Sequence, residues 1–589
     1  MKTKDIILTR KKASFDALAT KRDKWDKYEK MFHGVLDSAI TDKTKSQVFD
    51  PKLSTLLIER AYRVMAQLPT GKIKAISKND SGGSALMNLT LDKYIIPNAN
   101  SQFDFLTKLR MVDLYSNVYG NFFGLVDWHV GKNGYVGPDM WLLNIRDVFP
   151  QVGAVSLEDC DHVIIRTWKR KSFFESLRGK KGFTNIAKIL RKIEGKSGDK
   201  ATRDASNKGQ REEDEYPTEQ PAKNRGYYEV LTMYENDKWT DFIAGGVNEV
   251  FREIDNPHKN DEIPIVCKHS IPLLDDFMGM GDMERGEMMQ KVINSVWNLY
   301  LDGVGMSIFP PVMVNKDNIA SMSSLKWQKA QKMLVRGQIN NAIQPVNLSP
   351  KGIDTFNNTY QIATGSLLNL FGTTDTSVTK DTEAGYGRTP QALKMQAQRE
   401  NTRDNTDRFF MEQFTKKVIK KMVNLFGKLS DGSTQIRMFK PEIEQLARDY
   451  PDVEEMYDEK SGKLTIGKGK MSGIYDYEII SGSTYAVDEK AQQENLTSMV
   501  TLLTEHPELI QIAQQEGYNI KLGEMIKRII SKSGIQDWDQ IIEEMKPEEQ
   551  TESILENDMA QFAQAIQQMQ GIGSVPPQQA GQGGQVGGY

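Results

Sequence analysis

The sequence predicts a mainly helical α+β protein, and two patterns carry this prediction. Apolar residues recur at helical spacing through long segments, most clearly at 284–304 and 353–370. Shorter runs rich in aromatic and β-branched residues, separated by turn signals, occupy much of 121–268 and are typical of antiparallel strands. A chain of 589 residues is long enough for roughly two to four domains with cores of their own.

Composition excludes several classes of protein. The formal net charge of −3 provides no overall attraction to nucleic acid, so any DNA contact must be local. The cysteines, Cys160 and Cys267, cannot build a disulfide framework or a cysteine-based zinc site, and we expect both to be buried as small apolar side chains. No apolar run approaches the roughly 20 residues that span a bilayer, and the N-terminus lacks the apolar core of a signal peptide. We therefore expect a cytoplasmic protein with no membrane contact.

The first half of the chain is predicted to combine helices with strands. Residues 1–50 are predicted as polar helix with an aromatic stripe at Trp25, Tyr28 and Phe32. Asp50-Pro51 begins a strong amphipathic helix, because proline is favoured in a first helical turn, and a second helix is predicted near 103–118. Hairpin turns are predicted at 131–134 and 235–237. Strands are predicted at 121–130, 141–149, 162–168, 227–234, 238–243 and 263–268.

A basic insertion, at about 169–219, interrupts these strands. Its first part is predicted to be helical and its second part, from 195, to be a polar loop. A solvated charged face, a non-specific nucleic-acid contact and a protein contact all fit this composition. The candidate contact residues are Lys169, Arg170, Lys171, Arg178, Lys180, Lys181, Lys188, Arg191 and Lys192.

The central block, 281–427, has the clearest periodicity. One face of the helix predicted at 284–304 carries the apolar residues Met289, Val292, Ile293, Val296, Trp297, Tyr300 and Val304. The opposite face carries Glu284, Glu287, Lys291, Asn294, Asn298 and Asp302. A compact segment follows, with short strands at 311–314, 333–335 and 342–346 around a helical piece at 323–331. A second amphipathic helix is marked by Ile353, Phe356, Tyr360, Ala363, Leu367 and Leu370.

The C-terminal half continues with a break and a long helix. Residues 372–388, rich in Thr, Asp and Gly, are predicted to form a loop, and a helix then runs from 389 to 426. The middle of that helix, 398–408, is almost purely polar, which predicts contact with solvent or a neighbouring subunit. Strands are predicted within 434–483, helices within 488–546, and disorder in the Gln/Gly-rich tail from 561.

The sequence shows no set of residues spaced as a known catalytic, nucleotide-binding or metal-binding motif requires. Gly195-Lys196-Ser197 resembles the end of a phosphate-binding loop, but Leu190 stands where the first glycine of that loop is required. The six histidines lack metal-ligand spacing. Asp127 with His129, and Asp161 with His162, are interpreted as solvated strand-end side chains. We therefore predict no catalytic residue, no cofactor and no metal site, and this favours a structural protein.

The order of these elements resembles the portal proteins of tailed bacteriophages over about residues 20–545. Four local motifs carry the resemblance. They are Asp50-Pro51-Lys52-Leu53, Tyr119-Gly120-Asn121-Phe122-Phe123, Asn144-Ile145-Arg146-Asp147-Val148-Phe149-Pro150, and the segment that begins Gly281-Asp282. The basic insertion and the Gln/Gly-rich tail lie outside the common pattern of the family.

The resemblance implies a portal-like fold with named parts. The wing would comprise 1–280 and 430–487. The first stem helix would be 281–307, the small α/β clip 308–349 and the second stem helix 350–371. A tunnel loop, 372–388, would lead into the long kinked helix 389–429, and a helical crown, 488–546, would precede the disordered tail 547–589.

The resemblance also implies function. About twelve subunits would form a homo-oligomeric ring at one capsid vertex, the channel for double-stranded DNA in packaging and ejection. The ring would dock the large terminase and then the head–tail adaptor, contact the major capsid and scaffolding proteins, and reside in the virion after assembly in the host cytoplasm. The DNA-facing loop residues would be Thr373, Thr374, Lys380, Tyr386 and Arg388. The stem-packing residues would be Met289, Val292, Ile293, Val296, Trp297, Tyr300, Phe356, Tyr360 and Leu367.

The sequence leaves open which way three polar side chains of the first stem helix face, and it allows alternative functions. Sequence does not decide whether Asn294, Asn298 and Asp302 would face the channel or the outside. Another structural virion protein, such as a head–tail adaptor or a minor capsid protein, is the alternative function. A DNA-processing ATPase or nuclease is a further one.

Overall fold

Two antiparallel sheets and one long helix organise the main body of the protein. The computed structural model describes residues 3–36, 45–76, 81–131, 134–195, 227–258, 262–308, 312–314, 343–345, 352–371, 390–430, 434–438, 453–467, 475–479 and 489–506, with single residues at 432, 440, 443, 447, 509 and 525. The chain divides into two compact units, Met1–Tyr485 and Ala486–Tyr589.

Helices account for most of the regular structure that is described. In the first unit they are α1 Thr3–Ala17, α2 Ala19–Phe32, α3 Lys52–Val64, α4 Ser81–Thr90, α5 Ile96–Asn98, α6 Phe105–Tyr119, α7 Lys171–Ser176, α8 Ile186–Gly195, α9 Asp282–Ile308, α10 Gly352–Leu370, α11 Pro390–Leu429 and α12 Val453–Met456. A π-helical turn, Leu91–Ile95, joins α4 to α5, and a 3-10 turn spans Ile145–Asp147. The second unit contains α13, Glu489–Glu505, in which Val500 and Leu503 are buried.

The strands that the structure describes all lie in the first unit. They are β1 Gly71–Ala75, β2 Asn121–Val130, β3 Val136–Leu143, β4 Val148–Pro150, β5 His162–Arg170, β6 Tyr227–Glu235, β7 Lys238–Ile243, β8 Glu249–Asp255, β9 Ile265–His269, β10 Ile271–Leu273, β11 Asp276–Met280, β12 Val312–Val314, β13 Ile343–Pro345, β14 Thr434–Arg437, β15 Tyr457–Asp458, β16 Lys463–Ile466 and β17 Tyr475–Ile479.

The largest sheet has the order β4-β5-β6-β7-β8, and a three-stranded sheet has the order β3-β2-β9. Every neighbouring pair in both sheets is antiparallel. Smaller sheets have the orders β14-β16-β15, β1-β17, β10-β11 and β12-β13. Helix α11 packs on the three-stranded sheet, where its Phe414 and Met422 share one buried cluster with Phe122 and Val126 of β2. This cluster is the main core of the body.

The predicted hairpins are confirmed. Strands β2 and β3 pair in the register Val130↔Val136, and the Gly131 N–H donates to the Tyr135 carbonyl at 2.7 Å. Strands β6 and β7 pair through Tyr234↔Trp239. In both cases a local turn sequence determines the pairing.

The strand predicted at 141–149 is wrong. Strand β3 ends at Leu143, and β4 begins only at Val148 and belongs to the other sheet. The cause is Asn144, whose side-chain oxygen accepts a hydrogen bond from the Arg146 N–H at 3.0 Å and so turns the chain. The sequence also fails to predict β1, β8, β10 and β11. Strand β8 is a charged strand at a sheet edge, in which Phe251 alone is buried.

The cysteine prediction is confirmed for Cys160, which is buried, and in part for Cys267, which is half-buried. Burial raises the pKa of their thiols to about 11 and about 12 respectively, so both stay protonated at neutral pH. Within the described parts of the chain, no helix combines the length and the apolar character that a membrane span requires.

Candidate functional site: the α9–α10 hairpin

Helices α9 and α10 form an antiparallel hairpin whose inner face is lined with aromatic rings. Tyr300 stacks on Phe356 with ring centroids 4.1 Å apart, and Trp297 meets Phe356 edge-on at 5.0 Å. Tyr360 lies beside Trp297, at 5.7 Å. Such pairs contribute about 0.5–1.5 kcal/mol each beyond the area that they bury. Aromatic contacts therefore hold together the part of the hairpin nearest residues 308 and 352.

Most residues predicted to pack in the stem lie on this inner face. Ile293 and Leu367 are fully buried. The half-buried members are Met289, Val296, Trp297, Tyr300, Phe356 and Tyr360. Val292 does not pack on this inner face, because its side chain is 42% exposed. It is rotated by about 100° from Ile293 around the helix axis, and α10 covers only the sector centred on Ile293 and Trp297, so the predicted stripe is too wide.

The polar face of α9 binds an extended segment of the same chain, residues 45–50, which we call the strap. The Ser46 N–H donates to Asp302 Oδ1 at 2.7 Å, and the Val48 N–H donates to Asn298 Oδ1 at 2.7 Å. The Asn298 amide returns a hydrogen bond to the Val48 carbonyl at 3.0 Å. The polar side chains of α9 therefore hydrogen-bond the backbone of the strap, much as a neighbouring strand would.

The same pattern continues towards the start of α9. The Asp50 N–H donates to Asn294 Oδ1 at 3.1 Å, and the Leu53 N–H donates to Gln290 Oε1 at 2.9 Å. Four residues of an α-helix rise about 6.0 Å, and two extended residues advance about 6.6 Å. This near match lets three side chains of α9, spaced four residues apart, meet every second backbone N–H of the strap, and Gln290 continues the row onto α3 three residues further along the chain. Asn294, which is 7% exposed, therefore faces neither a channel nor the exterior.

Asp50 joins the strap to both helices of the hairpin. One carboxylate oxygen, Oδ2, accepts hydrogen bonds from Trp297 Nε1 at 3.1 Å and from the Tyr360 hydroxyl at 2.6 Å. The Asp50 carbonyl accepts a further bond from the Gln290 amide. The sequence marked Asp50 as a helix start and as part of a motif that resembles portal proteins. Neither signal says anything about partners some 250 and 310 residues away.

A buried ion network fixes the base of α9. The Arg60 guanidinium of α3 pairs with Asp282 at the start of α9 and with Asp404 and Asp407 of α11. Arg63 adds a 2.8 Å pair with Asp404. Arg60 and Asp282 are 1% and 2% exposed, so both charges depend on each other for solvation.

This network corrects part of the prediction for the polar middle of the long helix. Asp404 and Arg408 are 4% and 8% exposed. Their partners belong to this chain, because Arg408 donates to the Arg63 carbonyl at 3.1 Å. Within 404–408, where the structure describes the side chains of this run, Asp404 and Arg408 make buried contacts with α3, whereas Asn405 and Thr406 are exposed.

The backbone is closely packed where α9 begins. Gly120, with φ +93°, ends α6, and a Cβ there would lie 2.3 Å from the Gly279 carbonyl oxygen. Asn121 bridges the same strands, since its amide donates to the Phe277 carbonyl at 3.1 Å. Further along, a Cβ on Gly286 would lie 2.6 Å from Leu53. The motif at 119–123 therefore packs closely against β11 and the residues that lead into α9.

The side chains considered for chemistry do not assemble into a site. Asp127 lies inside the β2–β3 ladder opposite Asp139 rather than at a strand end, and burial raises its pKa to about 6. His129 contacts the ring of Trp141 at 5.4 Å. His162 is 9% exposed, and burial lowers its pKa. The solvated interpretation is therefore wrong for Asp127 and His162. The described residues contain no group of three or more side chains suited to a metal ion.

Several predicted parts lie outside the described residues. They are the tunnel loop 372–388, with Thr373, Thr374, Lys380, Tyr386 and Arg388; the clip between 315 and 342; the insertion at 196–219; most of the crown; and the tail 547–589. The basic residues proposed as contacts in the insertion are all described. They lie at the end of β5, on α7 and α8, and in the turn between these two helices.

The fold is thus an α+β body that anchors an aromatic helical hairpin through a strap and an ion network. Residues 137–449, more than half of the chain, match the family described as phage SU10 portal protein. The chain therefore belongs to this family, and the resemblance to tailed-phage portal proteins is confirmed. The matched region contains α9, α10, α11 and the whole five-stranded sheet. No curated protein matches the chain.

Proposed function

We propose that the protein forms a homo-oligomeric ring at one capsid vertex, through which double-stranded DNA enters during packaging and leaves during ejection. One observation carries the ring: the outer side of α9 bears an exposed apolar stripe. Met288, Val292, Leu299 and Met306 are 66%, 42%, 72% and 53% exposed. Their spacing of four, seven and seven residues puts them on one side of the helix. The stripe lies away from α10, and only Leu299 borders a cavity that the strap also lines.

A head-to-tail ring would cover this stripe in every subunit. In such a ring each copy presents α9 to a neighbour, and cyclic closure leaves no stripe exposed. Full burial of one large apolar side chain contributes about 1.5–3 kcal/mol, so several of them supply a substantial part of an interface. Among the residues that the structure describes, none buries these four side chains.

The surface of α10 supports the channel. Its exposed side chains are mostly neutral and polar, including Asn357, Asn358 and Gln361, and the sequence of α10 contains neither lysine nor arginine. Tight binding of phosphates by cations would hold DNA in place. A neutral wall lets a duplex slide, so we assign α10 to the lumen, where contact with DNA is non-specific.

The remaining parts follow from the portal family and from the order of the chain. The wing would be 1–280 with 430–487, the clip 308–349, the long helix 389–429 and the crown 488–546. The tunnel loop, with Lys380 and Arg388 as weak phosphate contacts, directly follows α10 in sequence and would extend from the lumen wall. The clip would dock the large terminase and then the head–tail adaptor, and the wing would contact capsid and scaffolding proteins.

Electron microscopy of the purified full-length chain tests this function. We expect rings of one fixed cyclic symmetry, with about twelve subunits. A protein that stays monomeric at micromolar concentration across salt conditions would contradict the proposal. The family match favours a portal over another structural virion protein, and ATP turnover or metal-dependent DNA cleavage by the pure protein would revive the enzymatic alternative.

A further inference from the structure

The described part of the basic insertion is a small helical layer on the five-stranded sheet. Phe174 of α7 and Ile189 of α8 are fully buried in a cluster that also contains Phe251 of β8 and Ile243 of β7. The layer is therefore a folded part of the body, and its cations occupy defined positions.

Several cations of this layer are already neutralised within the chain. Lys188 and Lys192 both pair with Glu249, at 2.8 and 2.6 Å. Lys171 pairs with Glu194 at 3.0 Å. Their charges are taken up in holding α7 and α8 to each other and to β8, so they are weak candidates for an external ligand.

Two further cations lie on aromatic rings. The Lys169 ammonium is 5.1 Å from the ring centroid of Phe173, and the Arg170 guanidinium is 4.9 Å from that of Tyr227. These contacts stabilise the end of β5 where α7 begins.

The turn between α7 and α8 is different. Residues 178–182, Arg-Gly-Lys-Lys-Gly, form what we call the cationic turn. Arg178, Lys180 and Lys181 are exposed, and none of them forms an ion pair with any residue that the structure describes. The nearest acid in sequence, Glu175, is paired with Lys171 at 3.4 Å.

The backbone of the cationic turn is held at both ends. The Lys180 N–H donates to the Leu177 carbonyl at 3.1 Å, and Leu177 is itself buried. On the other side the Thr184 N–H donates to the Phe251 carbonyl at 2.8 Å. Gly179 and Gly182 both have positive φ, +79° and +84°. A turn fixed in this way loses less conformational entropy on binding than a free loop would.

We infer that the cationic turn binds the phosphate backbone of duplex DNA without sequence preference, at a site separate from the channel. Three unpaired cations within four residues provide the charge that phosphate contacts require. A protein partner fits less well. Stable protein interfaces rely on large apolar or aromatic anchors, and among the described residues between 156 and 272 no large apolar side chain is exposed.

A charge-matched comparison tests the inference. The triple variant Arg178→Gln/Lys180→Gln/Lys181→Gln removes the turn's charge. The control, Lys12→Gln/Lys72→Gln/Lys460→Gln, removes the same charge from exposed lysines elsewhere in the described chain. Affinity for a short fluorescein-labelled DNA duplex is measured by anisotropy across a salt series. Ring formation and thermal unfolding are recorded on the same samples.

We expect the turn variant to bind the duplex at least about tenfold more weakly at low salt than the control. The slope of log affinity against log salt should fall by as much as about 2.7, that is about 0.9 per lost phosphate contact. The charge reversal Lys180→Glu alone should weaken binding in the same direction. Equal affinities of the turn variant and the control, whether both unchanged or both reduced, would overturn the inference.

The test separates this inference from the proposed function. Loss of duplex binding with intact rings supports the cationic turn as a DNA contact. Absence of rings in the unmodified protein contradicts the portal ring and leaves the binding comparison valid. If duplex binding is unchanged while binding of an acidic protein is lost, the turn is a protein contact and the inference is wrong.

Discussion

The two helices of the hairpin differ in how much of their surface contacts the rest of the chain and in the polarity of what stays exposed. Helix α9 is engaged on most of its circumference: Ile293 faces α10, Asn294 and Asn298 bind the strap, and the ion network holds its base. Its remaining side is the apolar stripe. Helix α10 has one buried face, and the rest of its described surface is largely neutral and polar, with Ile362 as an exposed apolar exception. The contrast supports the proposal that α9 forms the contact between subunits and that α10 lines the channel.

The largest expected effect comes from placing a charge on the stripe. Leu299→Glu should abolish ring formation, because a carboxylate cannot be buried unpaired in a subunit interface. The matched change Gln361→Glu on α10 should leave rings intact. Electron microscopy with size-exclusion chromatography measures both variants. Rings from Leu299→Glu together with monomers from Gln361→Glu would reverse the roles that we assign to the two helices.

Removal of the arginine at the base of α9 should have the next largest effect. Arg60→Ala leaves the buried Asp282 without its main partner and also removes the pair with Asp407, which costs about 3–5 kcal/mol of stability. Arg63→Ala is the control, since Arg63 is 38% exposed and Asp404 keeps its pair with Arg60, so the loss of stability should be smaller. Urea unfolding of the two variants measures the difference. Similar losses in both would show that the network does not depend on Arg60.

Loss of the strap's link to both helices should have a smaller effect. Asp50→Ala removes the acceptor shared by Trp297 and Tyr360, and hydrogen bonds to a charged group contribute about 1.5–3 kcal/mol. Asp50→Asn keeps one acceptor oxygen and should lose less. Hydrogen exchange of the Ser46 and Val48 amides provides the readout, because an unanchored strap exchanges faster. Unchanged protection in Asp50→Ala would show that the contacts with α9 suffice.

The smallest expected effect on stability comes from adding a cation to α10. Gln361→Lys changes an exposed side chain, so the free energy of unfolding should move by no more than about 0.5 kcal/mol. If α10 lines the lumen, this lysine should slow DNA packaging, and Gln361→Glu should not. Packaging rates with purified motor and procapsids measure this. Equal rates for both variants would remove α10 from the channel wall.

The helices and hairpins that the sequence predicted correctly are those encoded by patterns among neighbouring residues. The 3.6-residue period of apolar residues located α9, α10 and α11 to within a few residues of their observed ends, because that period depends only on neighbours along the chain. Turn residues located the β2–β3 hairpin in the same way. The resemblance to portal proteins then came from the order of such elements, and the family match confirms it.

Partners far apart in sequence account for what could not be predicted. The sequence by itself determined that α9 has an apolar and a polar side. Only the tertiary structure decided that the polar side binds the strap, that Val292 lies outside the packed sector, and that Arg60 meets Asp404. Strand β1 likewise pairs with β17, Gly71 with Ile479. The physical reason is that a hydrogen bond or ion pair depends on where two backbones come together, and nothing in the local composition of either segment encodes that meeting.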